Sequence, residues 1–174
     1  MIQQAFEILR SRALLDWGVV LRGLQGVPCG ASDRLSGDIV QSYAASALEK
    51  VEAGDPAFDS IAVLALDATL PTEEKERLVE DICQAYDVDI SLATRKWRAA
   101  LIEDTVENVD ADPMYGYIQL LDIWSKLDWP EDAPPSMRKN AKSPPTADFG
   151  SEATFASAKV EIQNWLKNEF LALR

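Results

Sequence analysis

Apolar residues recur every three or four positions along most of this chain, and that spacing restricts its fold more than any other feature. One such stripe contains Ile39, Tyr43, Ala47 and Val51, and another occupies residues 155–173. Runs of alternating β-branched residues bounded by Asn-Gly or Asp-Gly turns, which are typical of strands, do not occur. The pattern therefore predicts an all-α fold, a compact multi-helix domain of antiparallel helical hairpins.

Several helix starts are marked by residues that favour the first turn. Ser36 is a predicted N-cap, because its hydroxyl oxygen can accept a hydrogen bond from a first-turn N–H group. Asp55-Pro56 and Asp112-Pro113 each combine a capping aspartate with a proline at the first helical position. The last helix is predicted to begin near Ser151.

A proline-rich stretch interrupts the helical pattern between residues 128 and 150. It contains five prolines, and Arg138, Lys139 and Lys142 make its charge more positive than that of the preceding region. Proline blocks helix continuation and lacks a backbone donor, so we expect an extended loop or arm here. The predicted organisation is an acidic helical domain at 1–127, a proline-rich loop at 128–150, and a C-terminal helix at 151–174 that packs on the same domain.

Negative charge is concentrated in the middle of the sequence. Residues 49–132 contain 21 Asp or Glu against 7 Lys or Arg, a net charge of −14, whereas the whole chain carries −12. Such a surface repels phosphate backbones, so nucleic-acid binding is not expected. It attracts a basic protein and accelerates their encounter. The alternative is that the acidity serves solubility alone.

The residue types offer little for catalysis. The chain has no histidine, so Ser-His-Asp and Cys-His pairs cannot form within it. Asp87-Val-Asp89 and Asp110-Ala-Asp112 resemble the start of a calcium loop, but both lack the glycine at position six and the glutamate at position twelve. We therefore predict no metal site, no cofactor and no enzymatic activity. An enzyme that uses carboxylates and a divalent metal is the least favoured hypothesis.

The sequence also favours a cytoplasmic protein that does not enter membranes. No apolar window approaches the length of a bilayer span, and the N-terminus lacks the pattern of a secretory signal. The two cysteines are too few for a disulfide scaffold, which is consistent with a reducing compartment.

Candidate partner-binding residues lie on the polar faces of two successive predicted helices and just after a third. Trp97, inside the basic cluster Arg95-Lys96-Trp97-Arg98, is predicted to enter the core while the neighbouring cations pair with acids. Trp129 follows the end of a predicted helix, where it either covers the core or anchors an interface. The candidates are Glu73, Glu76, Glu80, Glu103, Glu107 and Trp129.

Short motifs along the chain resemble an uncharacterised bacterial family, the domain-of-unknown-function family 2247. The resemblance covers residues 15–138 and leaves the C-terminal helix outside. It implies no established activity and no catalytic residues. The motifs are Trp17 with Gly23, Leu35-Ser-Gly-Asp-Ile39, Tyr43-Ala44, Lys96-Trp97-Arg98, Asp112-Pro113, Ile123-Trp124 and Asp128-Trp129-Pro130-Glu131-Asp132.

We therefore expect a non-enzymatic protein-binding module that uses an acidic helical surface. Small acidic helical proteins of this type resemble the immunity partners of bacterial toxins, so a basic toxin is the expected partner. The alternative is a cytoplasmic structural or adaptor protein whose acidity serves solubility. Genome neighbourhood discriminates between the two. The sequence does not specify an oligomeric state.

Overall fold

Eight α-helices and one short 3₁₀ helix form the regular structure of the described residues. The computed structural model describes residues 2–26, 34–139 and 150–174. No strand occurs within those ranges, so the prediction of an all-α fold is confirmed. The helices are α1 (Ile2–Ser11), α2 (Trp17–Gln25), α3 (Gly37–Leu48), α4 (Phe58–Leu66), α5 (Thr72–Ala85), α6 (Ile90–Asn108), α7 (Pro113–Lys126), the 3₁₀ helix Pro135–Met137, and α8 (Glu152–Ala172).

Helix starts follow the predicted capping residues in most cases. The Asp112 carboxylate accepts hydrogen bonds from the backbone N–H groups of Met114 and Tyr115 at the start of α7. Ser151 caps α8 by accepting a hydrogen bond from the Thr154 N–H at 3.2 Å. Ser36 occupies the N-cap position of α3, but its hydroxyl does not make the predicted hydrogen bond to the first turn. The prediction for Asp55-Pro56 is wrong, because α4 begins only at Phe58 and its N-cap is Ala57. Asp55 instead holds the preceding turn by accepting a hydrogen bond from the Ala57 N–H at 2.8 Å.

The chain divides into two compact units. The central unit comprises Leu15–Thr94 together with Ile2, and the terminal unit comprises Gln3–Leu14 and Arg95–Arg174. The division falls inside α6, between Thr94 and Arg95. The two units differ in packing and in charge.

In the central unit, helices that are close in sequence pack against each other. α3 packs on α4, α4 packs on α5, and α5 also packs on α2. The apolar stripe Leu78, Val79 and Ile82 of α5 is buried, as its spacing predicts. Val20 of α2 and Leu64 of α4 are also fully buried. These contacts form a helical core whose outer faces carry the charged side chains.

In the terminal unit, aromatic side chains form much of the core. Trp97 is 0% exposed, and its ring centroid lies 6.2 Å from that of Phe6. Trp124 of α7 meets Trp165 of α8 edge to face, with the centroids 5.2 Å apart. The prediction that Trp97 enters the core is therefore confirmed.

The proline-rich stretch is only partly described. Residues 128–139 contain the 3₁₀ helix, which packs on α7 and α8, and Met137 is fully buried. Residues 140–149, including Lys142, lie outside the described residues. The predicted loop as a whole and the domain boundaries at 127/128 and 150/151 stay predictions. The helix predicted at the C-terminus is α8, and it packs on α7 within the terminal unit.

Gly116 permits a close approach between α7 and α8. A Cβ atom at this position would lie 2.6 Å from the Asp110 carbonyl oxygen and 2.6 Å from Cζ of Phe155. We expect Gly116→Ala to reduce the free energy of unfolding by about 1–3 kcal/mol, because the backbone contact cannot yield. Urea denaturation measures this loss.

Gly54→Ala is not an equivalent control for Gly116→Ala, since Gly54 has a positive φ of 119°. A suitable control is Ser157→Ala, an exposed position on α8, and an equal effect of both substitutions would contradict the packing argument.

Candidate functional site

The structure assigns nearly all of the negative charge to the central unit. Residues 15–94 contain 15 acidic and 5 basic side chains, a net charge of −10. The terminal unit has 14 acidic and 12 basic side chains, a net charge of −2. The acidic stretch expected at 49–132 therefore does not correspond to one structural unit. The basic side chains of α6 and the chain ends offset much of its second half.

Three of the predicted carboxylates lie together on α5 in the central unit. Glu73 is exposed, and Glu76 and Glu80 are partly exposed. None of the three forms an ion pair within the part of the chain that the structure describes. Their charge is therefore not neutralised by a neighbouring cation.

The remaining acidic groups on α5 are held by an arginine. Arg77 Nη2 lies 2.6 Å from Glu74 Oε1, and Arg77 Nη1 lies 3.0 Å from Asp81 Oδ2. The hydrogen bond from Arg77 lowers the pKa of Glu74 below its ordinary value. All three side chains are substantially exposed, so this network contributes little to stability. It does leave α5 with several acids and few available cations.

The predicted residues of α6 lie in the terminal unit and differ from those of α5. Glu103 accepts two hydrogen bonds from the Arg12 guanidinium, and only 14% of its side chain is exposed. The Arg12 guanidinium also stacks over Phe170, 3.9 Å from the ring centroid. Glu103 therefore links α6 to the turn that follows α1 and is not a free surface carboxylate. Glu107 is exposed.

Trp129 occupies the turn that follows α7. The backbone N–H of Trp129 donates to the Trp124 carbonyl at 3.0 Å. Trp129, with a φ of 48°, and Asp128, with a φ of 55°, both lie in the left-handed region. The side chain is half-buried. This placement is compatible with both roles considered for Trp129, since part of the indole covers the unit and part meets solvent.

Glu107 borders a polar cleft of about 690 Å³ in the terminal unit. Asp104 lies in the same cleft with 9% of its surface exposed, and burial raises the pKa of its carboxyl group. Asn108 Nδ2 donates to Asp104 Oδ1 at 2.9 Å, and Lys126 lies 2.7 Å from Asp122 Oδ2. Asp104 and Asp122 are thus already paired with side chains of their own helices.

A larger groove, of about 870 Å³, opens in the central unit, and we call it the aromatic groove. That volume lies within the range of roughly 300–1,000 Å³ typical of ligand pockets. Its walls come from the start of α2, the C-terminal half of α3, the α3–α4 turn and the C-terminal end of α5. Its lining includes three aromatic side chains, Trp17, Tyr43 and Tyr86, and three charged ones, Lys50, Glu52 and Asp55.

Asp55 is oriented by two donors that use the same oxygen. The Tyr86 hydroxyl and the Ala57 N–H each donate to Asp55 Oδ1 at 2.8 Å. Within the described residues, the second oxygen, Oδ2, accepts no hydrogen bond. Burial and then the bond to Asp55 raise the pKa of Tyr86 to about 12. Tyr86 thus stays a neutral donor at physiological pH, and Asp55, which lines the groove, keeps one carboxylate oxygen without a hydrogen-bond donor among the described residues.

The other aromatic wall is a packed pair. Trp17 and Tyr43 meet edge to face at a centroid separation of 4.9 Å and an interplanar angle of 82°. Burial, followed by the nearby Asp16 carboxylate, raises the pKa of Tyr43 to about 12. The same two causes raise the pKa of the buried Cys83 thiol to about 11, so it stays protonated. This wall is therefore packed edge to face and uncharged at neutral pH.

Sequence reasoning did not identify the aromatic groove. In the sequence, Trp17 belongs to the family motifs, and Tyr43 belongs both to those motifs and to the apolar stripe that begins at Ile39; neither pattern indicates a groove. The groove forms because α2, α3 and α5 come together through non-local packing, which helical spacing alone does not specify. The α3–α4 turn offers the only local clue, because Glu52 and Asp55 flank the flexible Ala53-Gly54 pair.

Two further properties bear on function. Within residues 2–26, 34–139 and 150–174, no three His, Cys, Asp or Glu side chains are grouped as a metal ion would require. Among the helices described, none combines the length and apolar character needed to cross a bilayer.

Comparison with known proteins places the chain in a family. The model of an uncharacterized protein conserved in bacteria, DUF2247, matches residues 6–170. The match is longer than the expected 15–138 and includes most of α8. No curated protein and no solved structure matches. Because the family model covers nearly the whole chain, the protein belongs to the DUF2247 family.

Proposed function

We propose that this protein is a non-enzymatic binding module whose central unit recognises a basic protein. The observation that carries the proposal is the segregation of charge, −10 on the central unit against −2 on the terminal unit. A field of one sign accelerates encounter with an oppositely charged partner and disfavours acidic ones. A basic bacterial toxin, neutralised in the cytoplasm as by an immunity protein, is the specific partner proposed.

The carboxylates of α5 supply the most accessible part of this field. Glu73, Glu76 and Glu80 are at least partly exposed and have no ion-pair partner among the described residues. Such groups stabilise the fold little, since even exposed ion pairs are usually worth no more than about 1 kcal/mol. They are therefore available for long-range attraction without a structural role.

Charge reversal on α5 tests the proposal. We expect Glu73→Lys/Glu76→Lys/Glu80→Lys to leave the melting temperature nearly unchanged and to abolish capture of the partner from a lysate of the source bacterium. With the captured protein purified, stopped-flow mixing should show an association rate reduced at least about tenfold at low salt. The wild-type rate should fall as salt rises, because ions screen exposed charges.

The matched control reverses three exposed acids of the terminal unit: Glu7→Lys/Glu131→Lys/Glu152→Lys. It changes the net charge by the same amount but leaves the central unit intact. We expect it to slow association much less than the α5 variant. Equal effects of the two variants would mean that only the total charge matters. An association rate insensitive to both variants and to salt would favour the structural or adaptor role, with acidity serving solubility.

A further inference from the structure

The aromatic groove has the composition of a site for a cationic side chain. It combines three aromatic rings with two carboxylates and one ammonium, within a unit of net charge −10. Aromatic faces attract cations, most often guanidinium groups, and this attraction strengthens as the site is desolvated. A planar guanidinium both stacks on a ring and donates to carboxylates, which an ammonium does less well.

We propose that the aromatic groove receives an arginine side chain of the protein partner. The inference rests on the proposed function and adds to it the contact that holds the partner after encounter. Asp55 lines the groove, and the bonds from Tyr86 and Ala57 to Oδ1 maintain the orientation of its carboxylate. Its Oδ2 accepts no hydrogen bond from the described residues. Tyr86 is 38% exposed, so its ring is accessible to an incoming side chain.

The rim of the groove contains charges that act in opposite directions. Glu52 is exposed and, within the described residues, forms no ion pair or side-chain hydrogen bond, so it is available to a guanidinium. Lys50 is exposed on the same rim and repels one. Removing each charge in turn should therefore change the affinity in opposite directions, which a structural effect of the substitutions would not produce.

The test uses the full chain labelled with 3-fluorotyrosine. The chain has four tyrosines; Tyr43 and Tyr86 line the groove, whereas Tyr115 and Tyr117 lie on α7 in the terminal unit and serve as internal references. We titrate it with the blocked tripeptide acetyl-Gly-Arg-Gly-amide and, separately, with its citrulline counterpart, a neutral isostere. The arginine peptide should shift the fluorine resonances of Tyr43 and Tyr86 alone, and the citrulline peptide should shift none.

Three variants with unchanged melting temperatures sharpen the result. Glu52→Gln should raise the Kd of the arginine peptide about threefold to fivefold, and Lys50→Gln should lower it about threefold, as expected for exposed charge pairs. Asp38→Asn removes the same charge from an exposed position of the same unit outside the groove, and it should have little effect. An equal effect of Glu52→Gln and Asp38→Asn, or equal binding of the citrulline peptide, would overturn the inference.

The outcomes also separate this inference from the proposed function. If the α5 reversals prevent partner capture but the arginine peptide leaves Tyr43 and Tyr86 unshifted, the arginine contact is wrong and the acidic binding module stands. If the peptide binds the groove while partner capture does not depend on α5, the proposed function is wrong. In that case the groove is a site for free cations, and the inference about the partner falls with it.

Discussion

Trp97→Ala should lower the free energy of unfolding by about 3–5 kcal/mol, the cost of removing a large aromatic side chain from a core. Trp97 is 0% exposed and its ring packs beside that of Phe6. Truncation leaves a cavity that the surrounding helices fill only partly, so lost burial and lost contacts both contribute. Urea denaturation followed by circular dichroism measures the change.

Tyr115→Ala is the matched control for Trp97→Ala. It also removes an aromatic ring from the terminal unit, but Tyr115 is 64% exposed, so we expect a change within about 0.5 kcal/mol. A Trp97→Ala protein of unchanged stability that no longer captured its partner would contradict this account. Trp97 would then be an interface anchor and not a core residue.

Glu169→Gln should cost about 3 kcal/mol, because it removes the charge of a buried carboxylate shared by two arginines while preserving side-chain shape. Only 7% of the Glu169 side chain is exposed. Arg95 donates to both of its oxygens, at 3.1 and 2.9 Å, and Arg98 Nη2 donates to Oε1 at 3.1 Å. After the substitution Arg98, whose side chain is 15% exposed, keeps only the carboxylate of Asp132.

An exposed ion pair provides the comparison for Glu169→Gln. Asp122→Asn removes the carboxylate that pairs with Lys126 one helical turn away, where about half of each side chain is exposed. Its cost should stay below about 0.5 kcal/mol, the usual limit for such helical pairs. Equal costs for the two substitutions would show that the Glu169 network is as well solvated as a surface pair.

Local features of the sequence account for the helices. Asp112-Pro113 starts α7 and Ser151 caps α8, because each of these helix starts depends on one side chain and the backbone beside it. Asp55-Pro56 failed as a helix start for an equally physical reason. The Asp55 carboxylate is used by Ala57 and by Tyr86, which is 31 positions away, so a tertiary contact determines its role.

The candidate site was only partly predictable. Glu73, Glu76 and Glu80 were identified correctly as polar-face residues of one helix, since the helical period assigns faces directly. Glu103 satisfies the same pattern, yet it is bound by Arg12, which lies in the turn after α1, 91 positions earlier in the chain. No local spacing distinguishes a free surface carboxylate from one that a distant arginine neutralises.

The sequence by itself therefore determined the all-α class, the starts of α3, α7 and α8, and the total charge, which depend on composition and on contacts within one or two helical turns. Only the tertiary structure decided how that charge divides between the two units, which carboxylates stay unpaired, and that Trp17, Tyr43 and Tyr86 line one groove. These properties depend on which helix faces meet. Many pairings of amphipathic helices satisfy the same periodicity, and side-chain packing between segments far apart in sequence selects among them.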